Sequence, residues 1–247
     1  MQKAERQSHL QSISRSKNVN ALGSNSNIDS NFSTIWPELK NISSRMLARM
    51  GRISLLNNST MENNIFNGGA GDDLFKSGAS NDTLNGGAGN DILIGGTGND
   101  YIVGGVGNDL LIGINTNSVA VSNTNGFVVA QISTSGNPGQ GEIDTLIGGD
   151  GADKFILSDS NNVYYNDGNA ASSGTQDYAL IMDFNLKEDK IHLRGAATNY
   201  GLQTSGGDTN IYLDNDAIAG LSANDELIGI VKGVVNLSLS GSYFHYV

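Results

Sequence analysis

The chain has 247 residues, with 25 acidic against 14 Lys and Arg side chains, a formal net charge of −11 and no cysteine. That length allows one or two domains with a real core. The missing cysteines remove disulfide frameworks, thiolate metal sites and thiol nucleophiles, and the acidity makes nucleic acid an unsuitable partner.

The charge is unevenly placed. Residues 1–60 hold eight bases and three acids (Glu5, Asp29 and Glu38), whereas the remaining 187 hold 22 acids and six bases. No stretch approaches eighteen consecutive apolar residues, so no membrane span or membrane contact is expected. The first residues, MQKAERQSHLQSISRSKNVNALG, have no apolar core and do not form a standard signal peptide.

Residues 1–33 are rich in Ser, Asn and Gln without periodicity and read as a disordered segment. Residues 34–60 read as an amphipathic helix and linker. Ile35, Leu39, Ile42, Met46 and Ile53 fall near one face, with Lys40, Arg45, Arg49 and Arg52 elsewhere. Thr34 and Pro37 suit its first turn and Gly51 its end. Such a helix can lie on a membrane, but the preferred reading is that it covers part of the structure that follows.

From Gly68 to Ile112 one nine-residue phrase is said five times: GGAGDDLFK, SGASNDTLN, GGAGNDILI, GGTGNDYIV and GGVGNDLLI. Two more copies, GQGEIDTLI (Gly139–Ile147) and GGDGADKFI (Gly148–Ile156), come later. Each reads Gly-Gly-x-Gly-x-Asp-x-apolar-x. The glycines at positions one, two and four are expected to supply positive φ, allowing a tight turn that leaves carbonyl oxygens exposed. Such oxygens and the aspartate at position six are hard ligands suited to Ca²⁺. The metal candidates are therefore Asp73, Asp82, Asp91, Asp100, Asp109, Asp144 and Asp153, together with the turn glycines Gly69, Gly71, Gly78, Gly87, Gly89, Gly96, Gly98, Gly105, Gly107, Gly149 and Gly151. The last three residues of each copy form a short strand whose middle side chain points inward. Those side chains are Phe75, Leu84, Leu93, Ile102, Leu111, Leu146 and Phe155, all large and apolar.

One nonapeptide makes half a coil, so alternate copies stack along one edge at the strand spacing of about 4.8 Å. Asp73, Asp91 and Asp109 then share one column, and Asp82 and Asp100 the other. Two carboxylates at that distance repel by roughly 3 kcal/mol at an effective dielectric of about 20. A cation between them reverses the sign, so several Ca²⁺ ions are expected to be part of the fold. The second copy departs from the pattern, with Ser77 and Ser80 at glycine positions.

On these repeats the chain resembles the RTX (repeats-in-toxin) proteins, whose nonapeptides wind into a calcium-filled parallel β-roll. The fold expected is all-β: a right-handed parallel β-roll over 61–112 and 139–157, a C-terminal β-rich cap over 158–247 and the short N-terminal helix. Residues 113–138 interrupt the roll, and VAVSNTNGFVVAQI reads as a hairpin about Asn125-Gly126. After Ile156 a polar loop is followed by DYALIMDFNLKEDKIHLRG, which is similar to the segment closing the roll in RTX proteins. Asp177, Asp183, Phe184, Asp189 and Ile191 match that segment, and His192 replaces an acid. The resemblance implies that Asp177 and Asp183 are capping calcium ligands; ordinary strand-end carboxylates would look the same. It also implies export by type I secretion, with an uncleaved C-terminal signal, to the extracellular space or cell surface. Sites of micromolar to millimolar affinity are useful where calcium is plentiful.

On the sheet of copies one, three and five the outward residues include Leu74, Ile92, Ile94, Leu110 and Ile112, an apolar strip that calls for a cover. The cover expected is the helix, the C-terminal region or a second copy of the chain; binding another secreted or surface protein there is the further option. No catalytic residue is expected. HExxH and GxSxG are absent, and His9, His192 and His245 are far apart in the sequence. The reading is a secreted, non-catalytic calcium-binding protein with a structural, surface or adhesion role. The alternative is a polysaccharide-acting enzyme or accessory module using the insertion or the C-terminal region.

Overall fold

The computed structural model of the chain describes residues 54–59, 63–123, 127–134, 136, 138–167, 176–216, 220–222 and 224–247. The segment 1–33 and the expected helix over Thr34–Ile53 lie outside the described residues.

The repeats form short strands in chain order: β1 (Ser54–Ser59), β2 (Ile65–Ala70), β3 (Leu74–Ala79), β4 (Thr83–Ala88), β5 (Ile92–Thr97), β6 (Tyr101–Val106) and β7 (Leu110–Ile114). After an antiparallel pair, β8 (Ser118–Asn123) and β9 (Phe127–Ser133), the roll resumes with β10 (Ile143–Asp150) and β11 (Lys154–Ile156). The strands are longer than the three residues expected, because each runs on through the first glycines of the next copy. Leu74–Ala79, for example, spans the end of the first repeat and Ser77-Gly78-Ala79 of the second.

Successive strands go to alternate sheets. One sheet has the order β1-β3-β5-β7-β11, the other contains β10-β6-β4-β2, and all these neighbours are parallel. This is the parallel β-roll expected from the nine-residue period. The register places like repeat positions side by side: Phe75↔Leu93↔Leu111 in one sheet and Leu84↔Ile102↔Leu146 in the other. All seven expected inward side chains are fully buried, and Phe66 joins them at 2% exposure. Each such burial stabilises by about 1.5–3 kcal/mol relative to exposure. Backbone ladders and this apolar column together set the repeat-on-repeat stacking.

Beyond the repeats both sheets continue. β12 (Tyr178–Ile181) pairs in parallel with β10, and β13 (Lys190–Leu193) with β11; β17 (Phe244–Tyr246) then pairs with β13. β16 (Glu226–Val231) adds to β12 in parallel, and the antiparallel strands β14 (Tyr200–Ser205) and β15 (Asp208–Leu213) complete that sheet. The C-terminal region is thus a β-rich extension of the roll that changes from parallel to antiparallel pairing at β16.

The apolar strip is not a free surface. Ile92, Ile94 and Ile112 are fully buried and Leu110 is 5% exposed, with Leu74 half-buried. On the same face, the Lys76 ammonium donates to the carbonyl of Thr116, in the segment leaving β7. The strip is therefore buried rather than exposed in this structure. The opposite sheet meets solvent, with Tyr101 46% and Val106 57% exposed.

Candidate calcium ladder

The turns between strands carry a ladder built from one bond type. Oδ1 of each position-six aspartate accepts the backbone N–H of the aspartate one full coil earlier. In the first column Asp73 donates to Asp91 (2.7 Å), Asp91 to Asp109 (2.7 Å), Asp109 to Asp153 (2.8 Å) and Asp153 to Asp189 (2.9 Å). In the second, Asn64 donates to Asp82 (2.6 Å), Asp82 to Asp100 (2.7 Å) and Asp100 to Asp144 (2.8 Å). The two expected columns therefore form, and each extends beyond the contiguous repeats.

The second carboxylate oxygen is different. Oδ2 of Asp82, Asp91, Asp100, Asp109 and Asp153 is buried and accepts no hydrogen bond. All but Asp82, whose repeat begins with Ser77, face the first glycine of their own repeat. A Cβ added to Gly86 would sit 2.1 Å from Asp91 Oδ2 and 2.8 Å from the Gly104 carbonyl oxygen of the next coil. At Gly95 the values are 2.2 Å to Asp100 Oδ2 and 2.5 Å to the Gly113 oxygen, and at Gly104 they are 2.3 Å to Asp109 Oδ2 and 2.5 Å to the Gly148 oxygen. Gly68 repeats the arrangement with Asp73 and the Gly86 oxygen, at 2.2 and 2.3 Å, and a Cβ on Gly148 would lie 2.3 Å from Asp153 Oδ2. A carboxylate oxygen thus converges with main-chain oxygen on a space that one methyl group would fill. An all-oxygen donor set of this kind fits a hard cation, and Ca²⁺ above others because it accepts irregular geometry.

The glycines divide the work in a way the sequence reading did not anticipate. Those at positions two and four, including every candidate from Gly69 to Gly151, adopt positive φ; in the third repeat Gly87 has +110° and Gly89 +135°. The first glycines do not share that conformation. Their role is the absence of a Cβ beside the carboxylate.

Charge on the ladder is costly without a counter-ion. Burial pushes Asp91 and Asp153 up to about 6 and Asp109 to about 7. Asp100 rises to about 9 through burial first and the neighbouring Asp144 charge second. The backbone N–H each accepts opposes the rise but does not cancel it.

Two cradles of the second column hold a hydroxyl instead. Ser77, at a first-glycine position, donates its Oγ proton to the Gly95 carbonyl. It lies beside Asp82, whose pKa burial raises and the hydroxyl eases. One proton serves one acceptor, so Asp82 Oδ2 stays without a hydrogen bond. At the other site the Tyr165 hydroxyl donates to Asp144 Oδ2 at 2.7 Å. A Cβ on Gly113 would lie 2.1 Å from that oxygen and 2.2 Å from the hydroxyl. Gly113 is therefore the first glycine of the sixth repeat, in place of the Gly139 expected from the sequence, and the insertion splits that repeat between Gly113 and Asp144. A hydroxyl thus stands at each of these two cradles, bonded to the carboxylate itself at Asp144 and to the Gly95 carbonyl beside Asp82. The non-glycine residues with positive φ among those described are Ser80 (82°) and Tyr165 (59°), one in the second repeat and the other supplying the second hydroxyl. Strain of this kind is held where surrounding contacts over-determine the backbone.

The C-terminal candidates also accept backbone N–H groups. Asp183 accepts the N–H groups of Gly148 (2.9 Å) and Gly149 (2.8 Å) with its two oxygens, pinning the seventh repeat. Asp177 takes the Gly141 N–H at 3.5 Å. Asp189, not chosen as a ligand from the sequence, occupies the next ladder position and also accepts the Asn185 N–H at 2.8 Å. Its Asp-Lys-Ile setting and its place after Asp153 were the signal for it; nothing in the sequence marked Tyr165. His192 and His245, distant in sequence, are register partners on β13 and β17 with ring centroids 4.6 Å apart. Burial, His245 and Lys154 lower His192 to about 3, so it is neutral.

Period, roll and oxygen cradles together define a calcium-binding repeat protein. The chain carries RTX calcium-binding nonapeptide repeats: the family model described as "RTX calcium-binding nonapeptide repeat (4 copies)" matches residues 60–93, 85–113 and 138–170. Ten solved chains match as well. One is the solution structure of the AlgE6R3 subunit from the Azotobacter vinelandii mannuronan C5-epimerase, 20% identical over 72% of this chain and 76% of that one, with a TM-score of 0.23. No curated protein matches the chain.

Proposed function

We propose that this is a secreted, non-catalytic protein whose roll folds around calcium outside the cell and then serves a structural, surface or adhesion role. The ions are held by Asp73, Asp91, Asp109 and Asp153 in one column and by Asp100 in the other, each with the carbonyl groups of the turn glycines. The observation that carries this reading is the set of buried Oδ2 atoms that accept no hydrogen bond beside cradles kept clear by glycine. A carboxylate in that state is stable when a cation faces it or a proton neutralises it.

Such a chain crosses an export channel unfolded, where calcium is scarce, and sets where calcium is abundant. This is the behaviour type I export requires. A cavity of about 290 Å³ lies beside the C-terminal strands. It is lined by Asn161, Asn162, Asn166, Asn199, Arg194 and Tyr200 among others, with no carboxylate in its lining. A glycosidase-type site needs two converging carboxylates.

The test is a calcium titration of the chelator-stripped protein followed by far-UV circular dichroism, with magnesium as control. A cooperative gain of β signal at extracellular calcium levels is expected. A spectrum that is folded and unchanged in chelator refutes the calcium-dependent fold and, with it, the export argument.

A further inference from the structure

Outside the ladder, three acids from separate stretches meet at the C-terminal end of the roll. Asp167 follows the Tyr165 segment, Asp177 precedes β12, and Glu226 opens β16. One carboxylate oxygen from each lies within 4.8 Å of the other two. Asp177 is 3% exposed and Glu226 fully buried, while Asp167 is half-buried.

Glu226 supplies the independent sign of a ligand. Both of its carboxylate oxygens are buried and neither accepts a hydrogen bond. Burial, then the charges of Asp167 and Asp177, push it up to about 7, and the Asp167 backbone N–H works against that rise. A second acidic group, Asp214, Asp216 and Asp225, is held largely by local hydrogen bonds, with one oxygen, Asp225 Oδ1, buried and accepting none. There the Ser222 N–H donates to Asp225 (2.7 Å), the Ser222 hydroxyl to Asp216 (2.9 Å) and the Asp216 N–H to Asp214 (3.2 Å). At Glu226 both carboxylate oxygens are buried and accept none.

We propose that Asp167, Asp177 and Glu226 form a calcium site separate from the ladder, whose ion fastens β16 to the end of the roll. The donors are all carboxylate oxygens, and three negative charges exceed what one divalent ion neutralises, which favours hard, high-coordination Ca²⁺ over Mg²⁺ with its strict octahedron. The location gives the ion its task. β16 pairs in parallel with β12 on one side and antiparallel with β15 on the other, so it is the strand where the repeating ladder stops. Asp177 and Glu226 stand at the starts of the two paired strands, β12 and β16. A cation between them locks that pairing much as ladder ions would lock successive repeats.

The experiment counts calcium ions per chain by native mass spectrometry on the full chain, for the parent, Glu226→Gln and Asp167→Asn. Each variant is expected to bind one ion fewer than the parent while retaining the β signal of the roll, and magnesium does not restore the count. Should Glu226→Gln fail to fold, Asp167→Asn, at a half-exposed position, still has to lose one ion. A folded variant with the parent's count overturns this site and leaves the ladder intact, whereas a parent that binds no calcium overturns the ladder itself.

Discussion

The hydroxyl of Ser77 offers a direct reading of what the first-position glycines do, through the change Ser77→Gly. Without calcium the variant loses the hydrogen bond from Ser77 to the Gly95 carbonyl, about 1 kcal/mol net. It also gains the backbone entropy of glycine in the unfolded chain, about 0.5–1 kcal/mol. The metal-free protein should therefore be destabilised by about 1.5–2 kcal/mol. With calcium the sign reverses. Asp82 Oδ2, buried and accepting no hydrogen bond, then faces a glycine as Asp91 and Asp100 do, and one more ion binds. At free calcium about 100 times the dissociation constant a new site stabilises by about 2.7 kcal/mol, leaving a net gain of about 1 kcal/mol. For a domain of this size that raises the thermal midpoint by about 2–4 °C. The assay pairs differential scanning calorimetry in saturating calcium and in chelator with equilibrium dialysis against radioactive calcium. An unchanged ion count, or a midpoint lowered equally in both buffers, refutes the assignment of Ser77 as a stand-in for the cation.

The converse change, Gly86→Ala, places a methyl group 2.1 Å from Asp91 Oδ2 at a backbone conformation alanine tolerates; dialysis should show one ion lost, and a full count would mean the cradle is not the binding place. Tyr165→Phe removes the donor to Asp144 Oδ2 and leaves a buried acceptor unsatisfied, a loss of about 1–3 kcal/mol in urea unfolding; no change in the urea midpoint would show that the hydroxyl carries no load. In chelator, pH acts through ladder carboxylates whose folded values, about 6 for Asp91, 7 for Asp109 and 9 for Asp100, lie above the ordinary 3.8. Their contribution is fully present below 3.8 and is lost as pH rises through those values, so the metal-free protein should gain β signal between pH 8 and pH 5. His192 acts in the opposite sense, since its value is lowered to about 3; it favours the fold above about 6.5 and opposes it as pH falls. Three buried aspartates outweigh one histidine, and circular dichroism showing less structure at pH 5 than at pH 8 in chelator would refute the balance.

Local pattern is enough to specify most of the roll. A nine-residue period with glycine at two turn positions and one apolar residue per copy fixes tight turns, short strands and an inward column, because each is a requirement of a few adjacent residues. The two aspartate columns follow from the same period, since stacking alternate copies leaves no other place for them. What the period does not encode had to come from contacts between distant parts of the chain. That Gly113 and Asp144 belong to one repeat depends on the insertion leaving and rejoining the roll at the same coil. That Tyr165 enters that cradle depends on a loop whose sequence is only polar and irregular. The covering of Ile92, Ile94 and Ile112, the meeting of His192 with His245 and the convergence of Asp167, Asp177 and Glu226 have the same origin. Sequence determined every feature that repeats; tertiary structure decided each place where the repetition is broken, because an exception is defined by its partner and the partner lies elsewhere in the chain.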